Sequence, residues 1–195
     1  MKKIMLSNRF EKALLWAVDM HAGQFRKGTN IPYISHLLAV ASIVLENGDN
    51  EDEVIAALLH DAAEDSGGKE TLEKIKDEFG EKVAEIVAAC TDTYDDPKPE
   101  WRLRKENYIK HLPKAPVSAQ LVSLADKLHN ARSIYRDYLA EGEMLWDRFN
   151  GKKDGTLWYY RQLIITCQKL NYPKHQLLVQ ELDKVVTEIE DLASS

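Results

Sequence analysis

The segment Leu58-Leu59-His60-Asp61-Ala62-Ala63-Glu64-Asp65 runs from apolar residues straight into a His-Asp pair and then two more carboxylates. Burying a histidine and an aspartate at the end of an apolar helix is costly unless something compensates. A divalent cation does so. Imidazole suits transition metals, and carboxylate suits harder ions such as Mn²⁺ and Mg²⁺. Taken alone, the pair is better read as a capped helix end with an acidic, solvated tail. Two distant residues change that reading. His36 opens a neighbouring apolar stretch after a turn, and Asp126 interrupts the apolar run Leu121 to Leu128. A lone carboxylate in such a run is expensive. Four candidate ligands, His36, His60, Asp61 and Asp126, thus come from three helices, which is how helical bundles build metal sites.

Helical periodicity dominates the chain, and strand-like alternation between turn signals is hard to find, so the sequence predicts an all-α fold of about eight to ten helices. Ser7 or Asn8 caps a first helix to about Ala22, followed by a loop from Gly23 to Ser35. Ser35 caps a second helix, His36 to about Glu46, and a third runs from about Glu51 to Ala63. Further helices are expected near Lys69–Phe79, Glu81–Thr91, Glu100–Leu112, Val117–Leu139, Asp154–Leu170 and from His175 to the end. Thr93 to Pro99 is polar and reads as a mobile loop. No repeat or long linker divides the chain, so residues 1–195 are expected to form one domain, with helices 154–194 packing on it. The amphipathic last helix, with Leu178, Leu182 and Val186, is expected to face its own domain.

The chain has 195 residues, of which 44% are hydrophobic, enough for a globular core. Its net charge of −6 gives no global basic footprint for nucleic acid, while leaving room for a local basic pocket. No segment reaches the apolar length of a membrane span or of a signal peptide, so a cytoplasmic protein is expected. Cys90 and Cys167 sit in apolar helical patterns and read as small buried hydrophobes in a reducing compartment.

The order His36, then His60-Asp61, then distant Asp126 resembles the HD superfamily of metal-dependent phosphohydrolases. The resemblance sharpens across Ala22-Gly23-Gln24-Phe25-Arg26-Lys27-Gly28, Pro32-Tyr33-Ile34-Ser35-His36, Ala56 to Asp61 with Glu64-Asp65, and Leu124 to Arg132. Together these look like the hydrolase domain of RelA/SpoT-type alarmone enzymes, over roughly Ala13 to Arg136. The resemblance implies a stand-alone hydrolase that removes the 3′-pyrophosphate of ppGpp or pppGpp, with Mn²⁺ as its usual metal. His36, His60, Asp61 and Asp126 are then the ligands. Glu64, four residues after His60, and Asp65, four after Asp61, are expected one helical turn beyond them as the proton-handling pair. Arg26 and Lys27 lie where that family contacts its substrate, and two cations there suit a pyrophosphate. Asn130 and Ser133 share the helical face of Asp126 and match positions where the family contacts the nucleotide.

The implied partners are a small-molecule nucleotide and, functionally, a cognate alarmone synthetase. A phosphatase acting on another purine nucleotide such as NADPH, and a non-catalytic nucleotide-binding module, are the competing readings. The retained Glu64 and Asp65 argue against the module. His21 and His129 read as structural histidines, His111 and His175 as exposed ones, and Trp158-Tyr159-Tyr160 as core.

Overall fold

In the computed structural model of the chain, residues 3–65, 67–93, 97–170 and 172–194 are described. Those residues form an all-α fold. Their only β-type pairing is an isolated antiparallel bridge between Phe25 and Pro32. No described helix is long and apolar enough to cross a membrane. The residues cluster as two compact units, and the boundary between them falls inside one continuous helix.

The first unit comprises residues 1–98 and 115–125. It holds α1 (Asn8–Met20), α2 (Ile34–Asn47), α3 (Glu51–Leu59), α4 (Ala62–Asp65), α5 (Gly68–Phe79) and α6 (Glu81–Cys90). It also holds the first turns of a long helix, Val117–Glu141, which takes the label α8 below because α7 precedes it. α3 is the centre. Every residue from Val54 to Leu59 is fully buried, and α1, α2 and α6 all pack against it. A helix that is apolar all round belongs inside a core.

The start of α3 is held firmly. The Asn50 side chain accepts from the Glu53 amide, and the Glu53 carboxylate accepts from the Asn50 amide, a reciprocal capping box. Glu53 is 6% exposed and also accepts from the Asp49 amide at 2.7 Å and the Ser118 hydroxyl at 2.7 Å. One buried carboxylate thereby fixes α3 to the beginning of α8.

The second unit comprises residues 99–114 and 126–195. It holds α7 (Trp101–His111), the remainder of α8, a 3₁₀ segment (Gly142–Arg148), α9 (Lys152–Cys167) and α10 (Pro173–Ala193). α10 packs on α9 through Leu178, Leu182, Val186 and Ile189, all buried. Arg161 of α9 adds ion pairs to Asp183 and Glu190 of α10. The Trp101 ring of α7 lies on Gly151, at the cap of α9, and on Gly155 within it. A β-carbon at Gly151 would come within 2.6 Å of the ring.

Four expectations are corrected. α2 starts at Ile34 with Tyr33 at its cap position, so Ser35 lies inside the helix and caps nothing. The chain begins to wind directly after the Phe25–Pro32 bridge, with the Ser35 amide already donating to Pro32 O. The expected helix Glu51–Ala63 is broken after Leu59 into α3 and α4. His175 is fully buried against Tyr172, with ring centroids 4.6 Å apart, where its charged neighbours suggested exposure. Cys90 is half-buried, its thiol 3.8 Å from Ala119 O, whereas Cys167 is fully buried.

Candidate metal centre

The break between α3 and α4 has a local cause. His60 Nδ1 donates to the Ala57 carbonyl at 2.8 Å. In an unbroken helix that carbonyl would receive the Asp61 amide, four residues on. The imidazole competes for the acceptor and the helix ends. The same bond uses Nδ1 and turns Nε2 the other way, which is how ligating histidines are usually oriented.

That Nε2 faces other acceptors. Asp61 Oδ2 lies 3.1 Å from His60 Nε2 and 3.6 Å from His36 Nε2. The His36 and His60 rings meet edge-on, with centroids 5.3 Å apart. Asp126 follows Ala125 in α8. One ligand atom each from His36, His60 and Asp126 lies within 4.8 Å of the other two, and all three residues are buried. Two imidazole rings and a buried carboxylate that meet in this way offer nitrogen and oxygen donors to one cation. Nitrogen and oxygen donors of this kind suit Mn²⁺, Fe²⁺ or Zn²⁺. The donor set therefore fits a divalent metal.

Asp126 is further held along its own helix. Lys127 donates to Oδ2 and Asn130 to Oδ1. Burial pushes the Lys127 ammonium down, but Asp126, with Tyr159 and Tyr108, outweighs this and holds it well above its ordinary value. The Lys127 nitrogen also sits 5.2 Å from the centre of the Tyr108 ring. The Ser133 hydroxyl donates back to the His129 carbonyl at 3.0 Å. His129 is half-buried and not part of the mutual ligand set.

Glu64 lies on α4, one helix beyond His60, so the expected shared helical face does not exist. The bend at His60-Asp61 replaces it. The Glu64 carboxylate accepts from the Lys98 ammonium at 2.8 Å and from the Asp92 amide at 3.3 Å. Asp65 belongs to α4 by its backbone, and its side chain lies outside the described residues.

Arg26 and Lys27 sit on a hairpin-like loop. The Arg26 amide donates to Ile31 O at 2.8 Å, the Thr29 amide and hydroxyl both donate to Arg26 O, and Gly28 turns the chain with φ +72°. That backbone angle favours glycine. Arg26 is half-buried and Lys27 exposed at the tip. The loop is built by its own hydrogen bonds, so its cations are presented on a fixed frame.

Three residues around this centre escaped the sequence. Lys127 neighbours Asp126, and adjacent helix positions do not face each other, so spacing gave no sign of a long side chain folding back. Lys98 lies far from Glu64 in the chain, in a loop without periodicity. Tyr33, whose hydroxyl donates to Asp61 Oδ2 at 2.6 Å, lay within the motif Pro32-Tyr33-Ile34-Ser35-His36, but its type alone signalled no contact with a carboxylate.

The HD domain family matches residues 13–157, which span this whole arrangement. The chain belongs to the HD domain family. HD-domain hydrolases are metal-dependent, and His36, His60 and Asp126 make a possible metal site here. Among curated relatives, the zebrafish (Danio rerio) guanosine-3′,5′-bis(diphosphate) 3′-pyrophosphohydrolase MESH1 is 41% identical over 124 residues, 62% of this chain and 66% of that protein. A guanosine-3′,5′-bis(diphosphate) 3′-pyrophosphohydrolase of Haemophilus influenzae is 39% identical over 60% of this chain, a match spanning only 17% of its own length. Among solved structures, a metazoan ortholog of SpoT described as hydrolysing ppGpp matches 95% of this chain and 97% of its own, with TM-score 0.77 and 26% identity. A Listeria monocytogenes protein matches 80% of this chain and 99% of its own, with TM-score 0.71 and 29% identity.

Proposed function

We propose that this HD-domain protein hydrolyses the 3′-pyrophosphate of guanosine alarmones, ppGpp and pppGpp, giving GDP or GTP and pyrophosphate. The observation that carries the reading is the convergence of buried His36, His60 and Asp126, with Asp61 against both histidines, in a chain that is 41% identical to a named ppGpp hydrolase over 62% of its length and similar in structure to another over 95%.

His36, His60, Asp61 and Asp126 would hold the metal, with Mn²⁺ the ion we favour. When bound, such an ion lowers the pKa of a coordinated water and neutralises charge building on phosphorus. The protein's residues do the rest. Glu64 is the proton acceptor, aimed by the Lys98 ammonium and the Asp92 amide, with Asp65 beside it in sequence. Arg26 and Lys27 bind the phosphate oxygens from their fixed loop, Arg26 in the bidentate manner open to a guanidinium. Asn130 holds Asp126 and stays within reach of the nucleotide, with Ser133 one turn further along the same face. On this reading the substrate is a cytoplasmic small molecule and the enzyme shares its compartment.

The test is product analysis. Purified protein is incubated with ppGpp, GTP and NADPH, with Mn²⁺ or with excess chelator. Release of pyrophosphate and GDP from ppGpp, abolished by chelator, is the expected result. Orthophosphate from NADPH with ppGpp untouched, or equal turnover in chelator, would overturn the substrate or the metal respectively.

A further inference from the structure

We propose that Tyr33 is a positioning residue that ties the loop carrying Arg26 and Lys27 to the metal-binding carboxylate of Asp61. The inference rests on the metal-site reading above and adds to it a link between the phosphate-binding loop and the ion.

Tyr33 stands where the loop becomes α2, at the helix cap position, with φ −60° and ψ −32°. Its amide donates to Gln24 O at 2.9 Å, and its carbonyl accepts from the His36 amide at 2.9 Å. One residue thus closes the loop on one side and starts the helix that presents His36 on the other. Its side chain makes the same connection. One face of the ring stacks on His21, with centroids 5.0 Å apart and planes 17° apart. His21, at the end of α1, is 4% exposed and is locked by Nδ1 against Gln24 Oε1 at 2.6 Å, so the stacking platform is tied to the start of the loop. The Arg26 guanidinium carbon lies 5.8 Å from the ring centre, within cation–π range, and the His36 ring meets the tyrosine edge-on at 5.6 Å.

The hydroxyl then donates to Asp61 Oδ2 at 2.6 Å, the oxygen that faces both His36 and His60. A carboxylate offers about four lone-pair positions over its two oxygens, so it can accept this bond and still ligate an ion. Hydrogen bonds of this kind orient ligating carboxylates, and their loss commonly weakens metal binding about 10–100-fold. The ring and the hydroxyl therefore have separable duties. The ring holds Arg26 and its loop, and the hydroxyl aims Asp61. Ion binding at Asp61 thus depends on the hydroxyl, and the placement of Arg26 on the ring.

Tyr33→Phe removes only the hydroxyl, Tyr33→Leu removes the ring as well, and Asp61→Asn removes the ligand charge. Each variant is first checked for native circular dichroism. Mn²⁺ affinity is then measured by titration calorimetry without substrate, and kcat and KM for ppGpp at saturating Mn²⁺. Tyr33→Phe should weaken Mn²⁺ binding about tenfold or more while leaving KM for ppGpp near wild type. Tyr33→Leu should show the same loss of Mn²⁺ affinity and a raised KM. Wild-type Mn²⁺ affinity in Tyr33→Phe, with Asp61→Asn impaired, overturns the proposal and leaves the metal-site reading standing. Wild-type affinity in both variants overturns the two together. A raised KM in Tyr33→Phe with Mn²⁺ affinity intact makes the hydroxyl a substrate contact and likewise overturns the proposal, as does an unchanged KM in Tyr33→Leu.

Discussion

Replacing Lys127 by methionine should destabilise the metal-free protein far more than the metal-loaded one. The side chains of Lys127 and Asp126 are only 15% and 9% exposed, and the lysine donates to Asp126 Oδ2. Removing one member of a buried pair strands the other charge and costs about 3–5 kcal/mol. Methionine keeps an apolar stem against the Tyr108 ring, so the lost charge dominates the change. For a chain of this size each kcal/mol moves Tm by about 2–4 °C, so the variant should melt about 6–20 °C lower in chelator. The lysine's raised pKa makes its contribution complete below the ordinary lysine value and lost only as pH climbs above it. At pH 7.5 the pair is fully formed. Saturating Mn²⁺ brings its own positive charge to Asp126, so the deficit should shrink by at least half and Mn²⁺ should bind more tightly to the variant. Thermal melts of both proteins in chelator and in Mn²⁺ provide the measurement. An equal deficit in both conditions would show that Asp126 does not face the ion and would falsify the ligand assignment.

Glu64→Gln keeps one acceptor oxygen for Lys98, puts an NH2 where the Asp92 amide donates, and cannot take a proton. Mn²⁺ affinity should stay at wild type while kcat falls about 10²–10⁴-fold, and a near-normal kcat would remove Glu64 from proton transfer. Gly151→Ala drives a methyl group into the Trp101 ring and should cost about 1–3 kcal/mol by overpacking, read as a lower Tm with a shift in tryptophan emission; an unchanged melt would mean that the α7–α9 contact yields freely. Burial pushes the Cys167 thiol up to about 12, leaving roughly one thiolate in 10⁴ at pH 8. Iodoacetamide should therefore modify half-buried Cys90 first, and mass spectrometry showing Cys167 labelled first in folded protein would contradict the described packing.

The candidate ligands were legible because charge inside an apolar run is conspicuous, and the structure brings His36, His60 and Asp126 together. His60 and Asp61 end a run that is fully buried, and Asp126 interrupts another, so the penalty for burying them could be read from neighbours alone. The helices were legible for the same reason, since most faces repeat with helical period and most boundaries fall within a few residues of those expected. What stayed hidden depends on where long side chains turn. His175 has polar sequence neighbours but packs under Tyr172. Lys98 reaches Glu64 across a sequence separation that periodicity does not span. The cap of α2 passed from Ser35 to Tyr33 because a two-residue bridge in the preceding loop starts the helix early, and no local preference signals that bridge.

The break between α3 and α4 is the most informative of these departures. Propensity favours continuing the helix through Leu59-His60-Asp61-Ala62-Ala63, and nothing there is glycine or proline. The interruption comes from the His60 imidazole taking the Ala57 carbonyl. That bond costs a helical hydrogen bond and yields three things at once: a His60 ring with Nε2 facing Asp61, an Asp61 turned toward both histidines and Tyr33, and an α4 that starts in a new direction with Glu64 held by Lys98 and the Asp92 amide. A continuous helix would have placed Glu64 directly over His60, one turn along the same face. On the proposed reading, the bend instead separates the residues that would hold the ion from Glu64, which would handle the proton. The two groups can then be supported by different parts of the chain, Asp61 by Tyr33 and Glu64 by Lys98. Local structure was given up at the one place where the proposed chemistry needs two directions from neighbouring residues.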